Sequence, residues 1–517
     1  MNFKNTEKGI RIATVAFAIF LLCFGMAMAF FPIRPFWNDE WRLIYNLKFK
    51  TESQLWGRLD LLQQCPRVYL TLLKKITSLF DYSYTSLRLP ALVVSAASIP
   101  FCFYLRKRIF PVSTVYSYLF VLIFISSQTF TDYLVQTKQY EMELLLCLLA
   151  LWQLITLLEI SEVGRMNKYK YLLLCISFLV APFFSYTYPI AVAPIFPVIV
   201  FSSVISLRNS KSGSARLLLS LLFPLAIAVF SIVVFYFIDV KQLMADNSMY
   251  LSYQRMLGHG QGENHFIENF WQLFSLVGSG LIFEIIFGVL GMASFFYGVY
   301  RLAKTKKQDY TRADHLRLYA VLLLVLTLGL FLSGKLLGGV ARLTAYTVPS
   351  ISLLIIAFLS DIKATYKYPK PANIISGILF AGLFGNIISV IVGTFTYPAY
   401  RHKIETYWHT SQALKEARLA KIPILITDGV RGEHTDEPAA MPGKISTHTI
   451  TAEQIRGVDV LCAEVVVKVN PEYRVWDTVA IYTIPDVKWT AAYMQQLPAG
   501  LNSAIVGDGV DFVRMGR

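Results

Sequence analysis

Asp39 and Glu40, in the run FWNDEW, are the residues of this sequence best suited to acid–base chemistry. They directly follow a long apolar stretch, and carboxylates so close to a bilayer are costly and are usually retained for function. A carboxylate in surroundings of low dielectric constant can take a proton from a hydroxyl or an amine, because burial shifts its pKa upward. The alternative is a pair of solvated loop carboxylates beside interfacial Trp residues.

The composition assigns the chain to the polytopic membrane proteins. Of its 517 residues, 55% are hydrophobic and 16% are charged, and apolar runs of membrane-spanning length recur along the sequence. The formal net charge of +15 is distributed over short loops between these runs rather than over one face. The charge therefore reflects topology, and no nucleic-acid partner is expected.

The apolar runs predict an all-α membrane domain with about eleven spans. They lie near residues 12–32, 87–105, 111–130, 139–159, 170–187, 189–207, 217–238, 275–300, 318–333, 343–360 and 374–396. The first run ends in GMAMAF, which resembles the cleavage site of a signal peptide. Because this run is long enough to span a bilayer, we expect an uncleaved first helix instead.

Basic residues occur in every alternate loop, which predicts the orientation of the protein. Examples are Arg106-Lys107-Arg108, Arg208 to Arg216 and Arg301 to Arg317. By the positive-inside rule, these loops lie on the cytoplasmic side. The other face then carries Asp39, the short loop TDYLVQTKQYE, residues 239–274, residues 335–342 and a C-terminal tail. We expect a multi-pass protein of the plasma (inner) membrane with its active site on the extracytoplasmic face.

Two domains are predicted. Residues 1–396 form the transmembrane domain, with a long first extracytoplasmic loop at 33–86 whose apolar spacing favours helices along the membrane interface. A span at residues 66–80 is the alternative, although Lys74-Lys75 argue against it. Residues 397–517 read as a small soluble α/β domain, with the helix ETYWHTSQALKEARLAK, strands in IPILITD, VDVLCAEVVVKV and DTVAIYTI, and a short helix near Trp489.

Several motifs, in this order and on one side of the membrane, resemble the membrane glycosyltransferases of the GT-C class. The motifs are FWNDEW, QQCPRVYL, SLRLPALVV, VQTKQYEMELLLCLLALW, FSYTYP and ARLTAYTVP. The group most similar in these motifs contains the dolichyl-phosphate-mannose protein mannosyltransferases and the lipid A aminoarabinose transferases. The resemblance covers roughly residues 10–360. It implies transfer of a sugar from a polyprenyl-phosphate carrier to a lipid, glycan or protein acceptor, with membrane lipids as further partners.

The resemblance assigns acid–base roles to three carboxylates. Asp39 is expected to be the general base, because an acidic residue early in the first loop has this role in such enzymes. Glu40 is the alternative, or it orients Asp39 or touches a divalent metal. One carboxylate suffices for an inverting displacement, so we expect inversion. Glu143 is expected to face the sugar or the acceptor, while Glu141 could pair with Lys138 on one helix face.

Four cations are candidates for the donor phosphate: Arg342, Lys138, Arg67 and Arg88. Arg342 opens a late span, and a guanidinium there can hold phosphate through two parallel hydrogen bonds; anchoring to lipid headgroups is the alternative. Related enzymes often carry Lys just before the first-loop proline, where this chain has Gln63-Gln64. Gln64 cannot neutralise charge, so Arg67 or Arg88 is expected to substitute, unless Arg88 merely anchors the second span. Tyr140 and Tyr346 join Gln64 as candidate substrate-binding residues.

Other features do not predict a site. The run GHGQGENH is interpreted as a mobile loop, Glu284 inside the eighth span receives no role, and no metal ligand set is assigned. The cofactor stays unknown: a divalent metal is left open, and a nucleotide is not expected on the extracytoplasmic side. A transporter or flippase of lipid-linked sugars is the alternative function, and it would require inverted repeats that the sequence does not display.

Overall fold

The chain divides into two compact units in the computed structural model of the protein. One contains Met1–Phe30, Thr51–Arg58 and Gln64–Val390, and the other contains Phe31–Lys50, Leu59–Gln63 and Ile391–Arg517. The residues that the structure describes are 3–31, 40, 43–44, 46–47, 50–59, 63–80, 82–111, 113–163, 167–209, 214–241, 266–278, 281–306, 310–333, 335–336, 341–365, 382–385, 388, 423–427, 447–451, 466–470, 475–482, 501–503 and 510–515.

The first unit is helical in its described part. Its α-helices are α1 (Phe3–Phe30), α2 (Glu52–Leu55), α3 (Arg67–Ser78), α4 (Tyr84–Ile109), α5 (Thr114–Ser126), α6 (Gln128–Tyr133), α7 (Tyr140–Val163), α8 (Lys168–Val180), α9 (Tyr188–Val192), α10 (Ile195–Asn209), α11 (Ser214–Phe235), α12 (Phe266–Ser275), α13 (Leu281–Lys304), α14 (Arg312–Leu332), α15 (Ala341–Thr344) and α16 (Val348–Thr365). A π-helical turn, Tyr236–Val240, extends α11, and 3₁₀ turns follow α8 and precede α16.

Short polar residues begin many of these helices. The side chains of Ser83, Ser113, Asn167 and Thr311 each accept a hydrogen bond from a backbone N–H in the first turn of the helix that follows. Such caps satisfy donors that have no partner within the helix. Eight helical stretches among the described residues are long and apolar enough to cross a membrane: Glu7–Phe30, Tyr84–Ile109, Tyr140–Glu162, Tyr188–Ile205, Leu218–Val240, Leu281–Lys304, Arg312–Leu332 and Ala345–Ile362.

The predicted spans differ from the observed helices at two places, and a third span cannot be compared. The predicted span 111–130 is interrupted, because Ser127 has an extended backbone and caps α6, which leaves α5 with 13 residues, about 20 Å in length. The predicted span 170–187 is helical only over α8, since the chain tightens into a 3₁₀ turn at Pro182. The predicted span 374–396 lies almost entirely outside the described residues. The count of eleven spans therefore stays a prediction.

Helix α7 is the centre of the helical unit. Its apolar stretch is 83% buried, against 33% for the stretches in α11 and α13. A helix that is hydrophobic on all sides must be surrounded, and α7 contacts α4, α8, α9, α10, α11, α14 and α16. Polar side chains in this interior bond to one another: Tyr188 Oη donates to Gln153 Oε1 at 2.8 Å, and Gln153 Nε2 donates to Ser177 Oγ at 2.9 Å. These bonds join α7 to its neighbours without water.

Ion pairs hold the end of the bundle where α7 ends. Glu159 accepts hydrogen bonds from Arg108 and from Lys170, with a distance of 2.6 Å to the Lys170 ammonium, and Arg312 pairs with Glu162. Nearby, the Arg317 guanidinium donates to Asp314 and to Asp361, each at 2.7 Å. These contacts connect α4, α7, α8, α14 and α16.

The C-terminal part of the second unit contains a six-stranded antiparallel sheet. Its strands are β1 (Pro423–Thr427), β2 (Thr447–Thr451), β3 (Val466–Asn470), β4 (Val475–Tyr482), β5 (Leu501–Ser503) and β6 (Val510–Met515), in the order β2-β1-β3-β4-β6-β5. Strands β1, β3 and β4 fall in the three runs in which the sequence predicts strands, whereas β2, β5 and β6 were missed. The two helices predicted in this tail lie outside the described residues, so the α/β assignment stays a prediction.

We expect Arg317→Met to lower the free energy of unfolding by about 3 kcal/mol, because it leaves the buried Asp314 carboxylate without its cation. The matched control is Lys75→Met, whose ion pair with Glu52 has side chains 60% and 52% exposed and a distance of 3.5 Å. An exposed pair contributes at most about 1 kcal/mol. Thermal unfolding of both variants in one detergent measures the difference, and equal midpoints would contradict the prediction.

Candidate active site

Asp239 binds the start of α3, at the opposite end of the bundle from the Glu159 ion pairs. Pro66 precedes α3, and the backbone N–H of Arg67 donates to Asp239 Oδ2 at 2.7 Å. The Arg67 Nε atom lies 3.8 Å from Asp239 Oδ1, and both side chains are 3% exposed. A carboxylate at a helix N-terminus satisfies an otherwise unpaired donor and interacts favourably with the helix dipole. Arg67, a predicted phosphate ligand, is thus already paired with an anion.

Tyr186 joins this pair to the first loop. Its hydroxyl lies 2.7 Å from Asp239 Oδ1 and 3.0 Å from the Cys65 carbonyl oxygen, so its single proton is shared between two acceptors. Cys65 is buried beside these groups, and burial raises the pKa of its thiol to about 12. The cations Lys138 and Arg67 oppose this rise, while Asp239 and Glu143 add to it. Cys65 therefore lies within electrostatic reach of all four charged groups.

The loop between α6 and α7 is anchored through its backbone. Tyr69 Oη donates to the Lys138 carbonyl at 3.1 Å, Arg88 Nη1 donates to the Val135 carbonyl at 3.1 Å, and Ser95 Oγ lies 3.0 Å from the Leu134 carbonyl. Thr137 Oγ1 in turn donates to the Leu87 carbonyl at 2.9 Å. Arg88, which is wholly buried, therefore positions this loop. Lys138 is held at a fixed, buried place between α3 and α7.

Buried oxygen atoms without hydrogen-bond partners concentrate in residues 136–143. Among the described residues they include Gln136 Oε1, Gln139 Oε1, both Glu141 carboxyl oxygens and Glu143 Oε2. The Ser95 hydroxyl is near Glu141, but its proton is shared between the carbonyls of Ala91 and Leu134. Because native proteins leave few buried polar atoms unsatisfied, this concentration indicates a place that water or a polar ligand occupies.

The structure corrects the pairing proposed for Lys138 and Glu141. Helix α7 begins at Tyr140, so Lys138 precedes the helix and does not share a helix face with Glu141. The spacing rule for residues three apart applies only within a helix. Lys138 lies instead near Cys65, and both carboxylates of the first turn of α7 are buried.

Of the two candidate tyrosines, Tyr140 belongs to segment 136–143 and Tyr346 lies near Glu143, and both are buried. Tyr346 is fully buried; its hydroxyl is 2.9 Å from Thr327 Oγ1, and its carbonyl accepts a hydrogen bond from Cys147 Sγ at 2.6 Å. The Tyr140 ring packs on Tyr133 with 4.7 Å between ring centroids. These contacts give both tyrosines a packing role. Gln64 is half-buried at the start of the described stretch that leads into α3.

The three remaining candidates are Asp39, Arg342 and Glu40. Asp39 lies outside the described residues, and so does the side chain of Arg342, whose backbone belongs to α15. Glu40 is buried and belongs to the second compact unit. In the described part of the chain, no group of three His, Cys, Asp or Glu side chains is arranged to hold a metal ion.

The structure brings Arg67, Lys138 and Glu143 together, as part of the predicted set, and adds two residues that were missed. Tyr186 lies in the motif FSYTYP and Asp239 begins a segment noted for its unusual residues, but neither was assigned a role. The available signal for Asp239 was an acidic residue directly after an apolar run. Its partner could not be found from the sequence, because Arg67 is 172 positions away.

The helices and their apolar lengths define a multi-pass helical membrane protein.

No family model matches the chain, and no curated protein matches it. Two solved structures from Archaeoglobus fulgidus are similar in part. One is the oligosaccharyltransferase in complex with Zn and sulfate, with a TM-score of 0.37, 14% identity, and coverage of 69% of this chain and 49% of that chain. The other is the archaeal oligosaccharyltransferase AglB in complex with an inhibitory peptide and a dolichol-phosphate, with a TM-score of 0.39, 11% identity, and coverage of 72% and 55%. The chain spans about half the length of these chains.

We expect Cys65 to react slowly with maleimide in the folded protein. With a thiol pKa of about 12, roughly one thiol in 10⁴ is ionised at pH 8. Labelling should rise about tenfold per pH unit up to pH 9.5 or so, whereas a thiol introduced by Ser53→Cys on exposed α2 should level off near its ordinary pKa of about 8.5. Peptide-resolved mass spectrometry measures both rates, and fast labelling of Cys65 at pH 7 would show that the cluster is open to water.

Proposed function

We propose that the protein is an inverting glycosyltransferase of the GT-C class. It moves a sugar from a polyprenyl-phosphate carrier to a lipid, glycan or protein acceptor on the extracytoplasmic face of the plasma membrane. The observation that supports this most strongly is the segment 136–143, in which a buried cation, Lys138, lies among buried oxygen atoms that lack hydrogen-bond partners. A sugar phosphate fits both kinds of group, because its hydroxyls donate hydrogen bonds to carboxylates and its phosphate attracts the Lys138 ammonium.

The roles of the four candidate cations differ. Arg67 is compensated by Asp239, and Arg88 donates to a backbone carbonyl, so both support the site rather than neutralise the donor. Lys138 and Arg342 are the proposed phosphate ligands. Negative charge on the phosphate grows as the bond to the sugar breaks, so cations placed there stabilise the transition state more than the ground state.

The proposed reaction needs one carboxylate as base. Asp39 takes the proton from the acceptor hydroxyl or amine, the acceptor oxygen or nitrogen bonds to the anomeric carbon, and the lipid phosphate leaves with the bonding electrons. Glu143 accepts hydrogen bonds from the sugar hydroxyls. A single displacement of this kind inverts the anomeric configuration.

Release of lipid phosphate distinguishes this function from a transporter or flippase of lipid-linked sugars. The purified full-length chain in lipid nanodiscs is incubated with a polyprenyl-phosphate sugar, and free polyprenyl phosphate and glycosylated product are quantified. A transferase cleaves the glycosidic bond, and inversion is read from the anomeric configuration of the product. A transporter leaves the donor intact, and an intact donor with every acceptor class tried would refute the proposal.

We expect Asp39→Asn to lower turnover by about 10²-fold or more, because base catalysis typically contributes that much. Donor binding should stay unchanged. Glu40→Gln tests the alternative base, and Glu52→Gln, an exposed carboxylate in the same loop, is the matched control. Near-normal turnover in Asp39→Asn would remove Asp39 from the mechanism.

Arg342→Ala should weaken donor binding and also slow the single-turnover rate, since the guanidinium stabilises charge that develops on the leaving phosphate. Arg342→Lys should recover only part of both losses, because an ammonium lacks the planar fork. Lys75→Ala, which removes an exposed cation of the first loop, is the control for loss of charge alone. An Arg that only anchors lipid headgroups would tolerate Lys fully and leave donor affinity unchanged in the Ala variant.

A further inference from the structure

A small cavity opens at the end of the bundle where α7 begins, separate from the Asp239 cluster. Its volume is about 170 Å³, and its walls come from α6, α12 with the turn after it, α13, α14 and α15. Pockets for drug-sized ligands measure roughly 300–1,000 Å³, so this cavity holds a smaller group. Glu284, an ionisable residue for which the sequence predicts no role, is part of its lining.

Backbone contacts fix two of these walls against each other. The Thr129 hydroxyl donates to the Leu276 carbonyl at 3.1 Å, and the Gln128 N–H donates to the Val277 carbonyl at 3.4 Å. Gly278 then lies against the first turn of α13, where a Cβ atom would come within 2.5 Å of the backbone of Phe283 and Glu284. Only glycine permits this approach, which brings the Glu284 turn of α13 close to α12.

The lining is polar and acidic. It contains the carboxylates of Asp132 and Glu284 and the amides of Gln128 and Gln272, and the described residues of the lining include no Lys or Arg. Within the described part of the chain, the side chains of Gln128, Gln272 and Glu284 make no hydrogen bond or ion pair. Phe331 adds an apolar ring to the wall.

We propose that this cavity binds one neutral sugar ring of a glycan acceptor. A sugar ring combines hydroxyls, which donate to carboxylates and exchange hydrogen bonds with amides, with an apolar face of C–H groups that packs on an aromatic ring. The assignment as an acceptor site rests on the proposed function. It specifies that function further, because it selects a glycan or glycolipid among the acceptor classes and separates the acceptor ring from the donor phosphate.

Binding is tested without the donor, so that the result does not depend on catalysis. Saturation-transfer NMR on the purified full-length protein uses the methyl glycosides of glucose, galactose and mannose at millimolar concentration. We expect at least one of them to bind. Glu284→Gln and Gln272→Leu should each weaken it about tenfold, since each removes hydrogen bonds from a partly dry site. Ile267→Ala, on the exposed face of α12, is the matched control and should bind as the unaltered protein does.

In a transfer assay, the same two variants should raise the KM for a glycan acceptor while leaving the hydrolysis of the donor by water unchanged. This separation excludes a merely structural effect, which would lower both. Absence of sugar binding, sugar binding that neither variant weakens, or binding of ethanolamine or Mn²⁺ in place of sugars would each overturn the inference. Sugar binding in a protein that never cleaves the donor would instead refute the proposed function and leave the cavity assignment standing.

Discussion

Polar groups shielded from water must find partners within the protein, and at one end of this bundle the Asp239 carboxylate provides them. It accepts a hydrogen bond from the first N–H of α3, lies beside the Arg67 guanidinium, and binds the Tyr186 hydroxyl. These residues come from three segments distant in sequence. Without this carboxylate, the Arg67 charge would be buried alone, at a cost larger than that of an exposed pair. Tyr69 of α3 donates to the Lys138 carbonyl, so the position of α3 against the Lys138 loop also depends on the Asp239 contacts.

Charged residues are paired differently at the two ends of the bundle. Where α7 ends, Glu159 has Arg108 and Lys170 as partners, and Arg317 has two carboxylates. Such a network holds helices together and leaves no demand for a ligand. Where α7 begins, both oxygens of Glu141 and one of Glu143 lack hydrogen-bond partners although the residues are buried. Among the described residues, the carboxylate oxygens without partners therefore lie at the end where α7 begins, and this asymmetry favours a site there.

The long apolar helices were predictable because their length and composition are local properties of the sequence. Breaks in them were not, because Ser127 and Pro182 interrupt runs whose hydropathy continues on both sides. For the candidate site, the motifs pointed to Arg67, Lys138 and Glu143, which the structure brings near Cys65. Asp239 and Tyr186 were not identified, because their roles depend on residues distant in sequence: Asp239 binds Arg67, 172 positions away, and Tyr186 binds the Cys65 carbonyl, 121 positions away. The cavity beside Glu284 was likewise hidden, since its lining comes from five separate helices.

Segment 134–143 shows how a membrane protein can keep unsatisfied polar atoms without losing order. Its backbone carbonyls at Leu134, Val135 and Lys138 accept hydrogen bonds from side chains of α3 and α4. The chain is thus fixed by its backbone, and its own Gln139, Glu141 and Glu143 side chains are left with oxygens that have no partner. Unsatisfied groups cost stability, and they persist only where the surrounding structure holds them in place. Polar groups fixed in advance need little reorganisation when charge develops on a bound substrate, and the proposed function relies on this property.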